Sequence, residues 1–146
     1  MSDENILSHC FEIKGGDFSK AGKTSTSIKE ILQEIGIELS IIIRASIASY
    51  EAEMNVVMYA QRGSLTLSVT PEKLHLKLED DGPGIENVEI AMKEGFSTAT
   101  DKMREMGFGA GMGLPNIKRN ADKFEIFSTP GKGTSLDITF YLNKKN

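Results

Sequence analysis

The hydrophobic positions change period several times along the chain, and each change marks an element. Leu7, Cys10, Phe11 and Ile13 alternate loosely and predict a first strand over Leu7–Lys14, ended by Gly15-Gly16. After Phe18 apolar residues are sparse until Ile28, Ile31, Leu32 and Ile35 return at helical spacing; Gly36 then fits a helix stop. The longest helical candidate runs from Ile37 to Ala60. Within it Ile43, Ile47, Tyr50, Met54 and Val57 fall three or four residues apart, the spacing of a core-facing side. Two strictly alternating runs, Leu65–Val69 and Leu74–Leu78, flank Thr70-Pro71-Glu72-Lys73 and predict a hairpin. Val88–Met92 predicts a short helix. Phe96 to Gly113, rich in Gly, Met, Thr and charge, has little periodicity, and Leu114–Asp122 restarts as a helix. Phe124–Ser128 and Ser135–Leu142 alternate again around Pro130-Gly131-Lys132-Gly133.

The predicted order is β-α-α-β-β-α-loop-α-β-β. Hairpins in mid-chain and at the C-terminal end favour an α+β sandwich of two layers: a mainly antiparallel sheet with helices packed on one face. Without repeats or a linker, residues 1–146 read as one domain, long enough to bury a core unaided by metals or disulfides. Charge narrows the partners: 17 Lys+Arg against 21 Asp+Glu leave a net −4, which offers no pull toward nucleic acid or anionic lipid. The single cysteine, Cys10, has no partner for an internal disulfide and reads as a small strand residue. The N-terminus lacks a basic region followed by an apolar run, and the longest apolar stretch, around Ile41–Ile43, is far short of a membrane span. A cytoplasmic protein is expected, with no membrane and no nucleic-acid partner.

Four short patterns carry candidate chemistry. Glu51-x-x-x-Asn55 lies on the long predicted helix, where a spacing of four puts both side chains on one face. A carboxylate and a carboxamide there could place a base beside a hard-cation ligand, and such pairs also occur on ordinary solvated faces. Asp80-Asp81-Gly82-Pro83-Gly84-Ile85 follows a strand; it suits close approach of a flat ligand, and equally a plain turn. Gly107, Gly109, Gly111 and Gly113 alternate into Leu114 and a helix, giving mobile backbone whose N–H groups can wrap phosphates at a helix N-terminus. Gly131-Lys132-Gly133-Thr134, alone, is a hairpin.

Two other patterns fail. Gly16…Gly22-Lys23-Thr24 looks like a Walker A loop, but the required first glycine falls on Asp17. Gly107–Gly113 is not directly preceded by a strand, so it is not a dinucleotide fingerprint. His9 and His75 lie in predicted strands without metal-ligand spacing.

Taken together, the order and spacing of the four patterns resemble the asparagine box, two glycine boxes and terminal box of the GHKL ATPases. The likeness is strongest to bacterial anti-sigma-factor serine kinases of the RsbT switch type. Glu51–Ala60, Asp81–Ile85, Glu94–Thr98 and Gly109–Arg119 carry it. The resemblance implies the Bergerat fold and binding of ATP with Mg²⁺. It implies that Asp80 accepts the adenine amine, supported through water by Thr134, while Gly82 and Gly84 clear space for the base. It further implies Asn55 as the Mg²⁺ ligand and Glu51 as general base toward a water or a protein serine. Phe96–Met112 would be a lid, with Gly109, Gly111 and Gly113 donating N–H groups and Lys102 and Arg104 as lid cations. Ile85, Met112 and Leu114 complete the expected nucleotide contacts.

The activity so implied is a serine/threonine kinase phosphorylating a small STAS-type antagonist protein, with a sigma factor or phosphatase as further partner and a homodimer plausible. The alternative is a nucleotide-dependent binding switch with little or no phosphotransfer. A detached histidine-kinase catalytic domain is a weaker fit, because neither His9 nor His75 lies on a predicted helix.

Overall fold

The computed structural model describes residues 6–85, 88–92 and 113–142. Five strands and four α-helices are present among them, with one 3-10 turn at Phe18–Lys20: β1 Leu7–Lys14, α1 Lys23–Glu34, α2 Leu39–Tyr59, β2 Arg62–Val69, β3 Lys73–Asp80, α3 Val88–Ala91, α4 Gly113–Asn120, β4 Lys123–Thr129 and β5 Gly133–Tyr141. The strands form one sheet in the order β1-β2-β3-β5-β4, and all four pairings are antiparallel. This agrees with the α+β sandwich expected from the periodicity.

Alternation decides which side of the sheet meets the helices. Leu65, Leu67 and Val69 of β2, Leu74, Leu76 and Leu78 of β3, and Leu136, Ile138 and Phe140 of β5 are fully buried beneath them. Their neighbours Ser64, Thr66, His75, Lys77, Ser135 and Asp137 lie on the opposite, polar face. There His75 Nε2 meets Asp137 Oδ1 at 3.0 Å, a cross-strand neighbour rather than a metal partner. The β2–β3 turn closes as expected, with Thr70 N–H donating to Lys73 O at 2.8 Å.

Helix α2 lies against the sheet, between α1 and α4. Its buried side is Ile41, Ile42, Ala45, Ala48, Ala52, Val56 and Val57, where three alanines allow the helix to pack closely. That corrects the core stripe expected from spacing. Met54 and Val57 are buried, but Ile43 is 52%, Ile47 38% and Tyr50 37% exposed. The helix is apolar on most sides, so a regular period runs along its outer side too, and spacing alone does not choose between them. Among the described residues no helix is long and apolar enough to cross a membrane.

Glu53, 2% exposed, ties α2 to α1. One of its carboxylate oxygens accepts from Gly22 N–H at 3.0 Å and Thr24 N–H at 3.2 Å, the other from Ser25 N–H at 3.1 Å. These are orphan donors of the first turn of α1, which Gly22 enters at φ 97° without a side-chain cap of its own. The Walker-like stretch is therefore closed by a protein carboxylate at the helix end where a phosphate would sit. Replacing Glu53 by alanine strands one buried and two half-buried donors, and we expect a loss of about 3 kcal/mol in stability. Urea titration of Glu53→Ala checks this; a midpoint within error of wild type would show that water satisfies the donors.

Candidate functional site

The candidate site forms where the end of β3, the middle of α2, the start of α4 and the β4–β5 hairpin meet. Antiparallel pairing of β3 with β5 sets Asp80 opposite Thr134, although 54 residues separate them in sequence. Asp80 Oδ1 accepts from Gly82 N–H at 2.9 Å and from Thr134 N–H at 3.2 Å. Burial pushes the Asp80 carboxyl above its ordinary range, the two N–H donors oppose that shift, and neighbouring Asp81 adds to it. Thr134 therefore meets Asp80 directly through its backbone N–H.

The loop after Asp80 is held by groups the motif does not reveal. Asp81 Oδ1 accepts from Gln61 N–H and Arg62 N–H, each at 3.0 Å, joining the loop to the α2–β2 connection. The Arg62 N–H first, and the Gln61 N–H with it, hold that exposed carboxyl below its ordinary value. Ser128 Oγ accepts from Ile85 N–H at 2.6 Å and lies 3.1 Å from Thr134 Oγ1, so β4 braces both ends of the site. Two glycines permit the close passage. At φ 80°, a Cβ on Gly84 would stand 2.4 Å from Thr129 O; at φ 133°, one on Gly133 would stand 2.1 Å from Asp80 O. The Cβ direction at Gly82 likewise faces the protein itself, Asp80 Oδ1 and Tyr59 O.

Glu51 and Asn55 lie one turn apart on α2, both half-buried, and face the first residue of α4. A methyl carbon placed on Gly113 would be 3.4 Å from Glu51 Oε1 and 3.8 Å from Asn55 Oδ1. Glycine here leaves room between a carboxylate–carboxamide pair and the N-terminus of a helix. Leu114 turns inward and, at 8% exposed, anchors α4 in the core. From the same flank of α2, Arg44 grips the other end of α4. Its Nε donates to Asn120 O at 2.8 Å, and Nη2 meets Asp122 Oδ1 at 2.9 Å.

The structure thus brings together Glu51, Asn55, Gly113 and Leu114 at α4, and Asp80, Gly82, Gly84, Ile85 and Thr134 at the sheet end. Lys102, Arg104, Gly109, Gly111 and Met112 lie outside the described residues. Among the described residues no three His, Cys, Asp or Glu side chains cluster as a metal site, so a cation here would draw on Asn55 and on ligand oxygens. A cleft of about 640 Å³ lies beside the Asp80 loop, lined by Gly15, Phe18, Met58, Tyr59, Gly82 and Pro83, but without Glu51, Asn55 or Asp80. It reaches the site only at Gly82 and holds neither the proposed base nor the proposed cation ligand.

Comparison with known proteins gives the chain a family. The profile of the family described as "Histidine kinase-, DNA gyrase B-, and HSP90-like ATPase" matches residues 42–146. The chain is 30% identical over 118 residues to the serine/threonine-protein kinase RsbT of Bacillus subtilis, covering 78% of this chain and 83% of that one. It is 28% identical over 122 residues to an anti-sigma F factor of Thermoanaerobacter, covering 84% of this chain and 78% of the other. Among solved structures, the SiaB–SiaC complex of Pseudomonas aeruginosa contains a chain with the same fold. Its TM-score is 0.62 at 13% identity, over 93% of this chain and 89% of that one. Helix α2, the Asp80–Ile85 loop and the sheet pairing agree with these likenesses: the chain belongs to the histidine kinase-, DNA gyrase B- and HSP90-like ATPases, in the branch of RsbT-type and anti-sigma-factor serine kinases.

Proposed function

We propose that this protein is an ATP- and Mg²⁺-dependent serine/threonine kinase that phosphorylates a small STAS-type antagonist protein in a partner-switching module. The observation that carries the reading is the convergence of Glu51 Oε1 and Asn55 Oδ1 on Gly113 at the N-terminus of α4. A nucleotide switch without transfer needs a cation ligand there but has no use for a carboxylate beside it. Similarity to a named serine/threonine kinase supports the same choice.

In this reading the free oxygen of Asp80 accepts the adenine amine. Asn55 holds the magnesium ion, whose contribution is to neutralise phosphate charge. The N-terminus of α4 directs backbone N–H groups at the phosphates. Glu51 takes the proton from the substrate hydroxyl as its oxygen bonds to the γ-phosphorus. The bond from that phosphorus to the bridging oxygen breaks, and ADP leaves with the electron pair.

The test is label transfer from γ-labelled ATP, with Mg²⁺, to the STAS-type protein encoded nearest this one. We expect phosphate on one serine or threonine, and at least a hundredfold slower transfer by Asn55→Ala. Nucleotide bound tightly by the wild type with no label on the STAS-type protein would overturn the kinase reading in favour of a nucleotide-switched binder.

A further inference from the structure

Glu51 has a second neighbour on α4. Asn116, three residues after Gly113, donates from Nδ2 to Glu51 Oε2 at 3.0 Å across 65 residues of sequence. Its Oδ1 accepts from Arg119 Nη2, one turn further on. The chemistry of these two neighbours orients the amide. A guanidinium only donates, so the oxygen faces Arg119; an ionised carboxylate only accepts, so the NH₂ faces Glu51. The support beneath the amide is firm. Leu114, Pro115 and Ile117 are buried, and Asn116 O accepts from Asn120 Nδ2 at 2.8 Å.

We infer that Asn116 is a positioning residue for Glu51, holding Oε2 so that Oε1 is the oxygen offered to the incoming hydroxyl, with Arg119 fixing the amide that does so. The inference rests on Glu51 being the base. A glutamate side chain loses rotamer freedom when fixed, and a hydrogen bond made before substrate arrives meets part of that cost in advance. Gly113 and Asn116 share the first turn of α4. The helix end that would face the phosphates and the group that aims the base therefore move as one piece.

The test compares full-length wild type, Asn116→Ala, Asn116→Asp, Glu51→Gln and the double variant Glu51→Gln/Asn116→Ala. Three quantities are read: turnover of γ-labelled MgATP, by transfer or by hydrolysis; affinity for a fluorescent ATP analogue; and thermal midpoint. Asn116→Ala is expected to lower kcat about 10- to 30-fold while nucleotide affinity stays within about twofold. Asn116→Asp keeps the size of the side chain and its bond to Arg119 but sets an acceptor against Glu51. It should lower kcat at least as far while filling the same space, a result that a packing role would not produce; like-charge repulsion with Glu51 also lowers its thermal midpoint. In the Glu51→Gln background, Asn116→Ala should add no further loss. Full kcat in Asn116→Asp, or equal losses with and without Glu51, overturns the inference while leaving the base intact. Full kcat in Glu51→Gln, or no turnover by the wild type, overturns the base reading and this one with it.

Discussion

Glu51→Gln is expected to slow phosphotransfer by about 10²- to 10⁴-fold, the range a positioned general base supplies, while ATP affinity changes little. The substitution keeps the volume and one acceptor oxygen of the side chain, and removes its negative charge and its capacity to take a proton. Asn116 can still donate to the amide oxygen, so the contact between α2 and α4 survives. Separating the two effects needs two measurements on one preparation: single-turnover transfer of label, and binding of a fluorescent ATP analogue. Transfer within a few-fold of wild type would show that the hydroxyl loses its proton elsewhere. Joint loss of transfer and binding would instead make Glu51 part of the nucleotide site.

Asp80→Asn is expected to lose nucleotide affinity by about 30- to 150-fold, corresponding to about 2–3 kcal/mol for a mispaired, half-buried polar group. Asp80 serves two sides at once. Oδ1 is already occupied by the N–H groups of Gly82 and Thr134, which leaves Oδ2 for an adenine amine. An asparagine has one oxygen for two sets of donors. Whichever way its amide turns, an NH₂ group faces another donor. Calorimetric titration with ATP tests this, and a Kd within threefold of wild type would remove Asp80 from the adenine contact.

The pH dependence has a definite sign. Burial raises the Asp80 carboxyl, so it takes up its proton at a higher pH than an exposed aspartate, whose ordinary value is about 3.9. Because the amine bonds best to the ionised form, ATP affinity should weaken as pH falls, from above the ordinary aspartate range. The comparison is with Asp80→Asn, since the nucleotide's own phosphates titrate equally in both. Parallel profiles for the two proteins would rule out Asp80 as the titrating group.

Much of this molecule was legible in the sequence because its signals are local. Alternation at Leu65–Val69 and Leu74–Leu78, the Thr70–Lys73 turn and the strands around Pro130–Gly133 all lie within a few residues, and the observed pairings follow them. The one-turn spacing of Glu51 and Asn55 placed both on one side of a helix before any packing was known. Helix starts were less clear: α1 begins at Lys23, several residues before the first apolar repeat, because a carboxylate from another helix caps it.

What spacing could not decide was which side of α2 faces inward. The side rich in alanine packs against the sheet because small residues allow close approach, leaving Ile43, Ile47 and Tyr50 outside. Nor does spacing separate Glu51 from Glu53. Two residues along a helix turn the second glutamate about 200° from the first, so one meets α4 and the other is buried at the head of α1. Asn116 lies inside a recognisable run of residues, yet nothing local marks it as a partner of Glu51. The sequence alone therefore determined the order of elements and the chemistry on offer. The fold decided the hydrogen-bond partners of Glu51 and Glu53 and the pairing of Asp80 with Thr134, because those contacts close loops of 28 to 65 residues and exist only once the sheet and helices have docked.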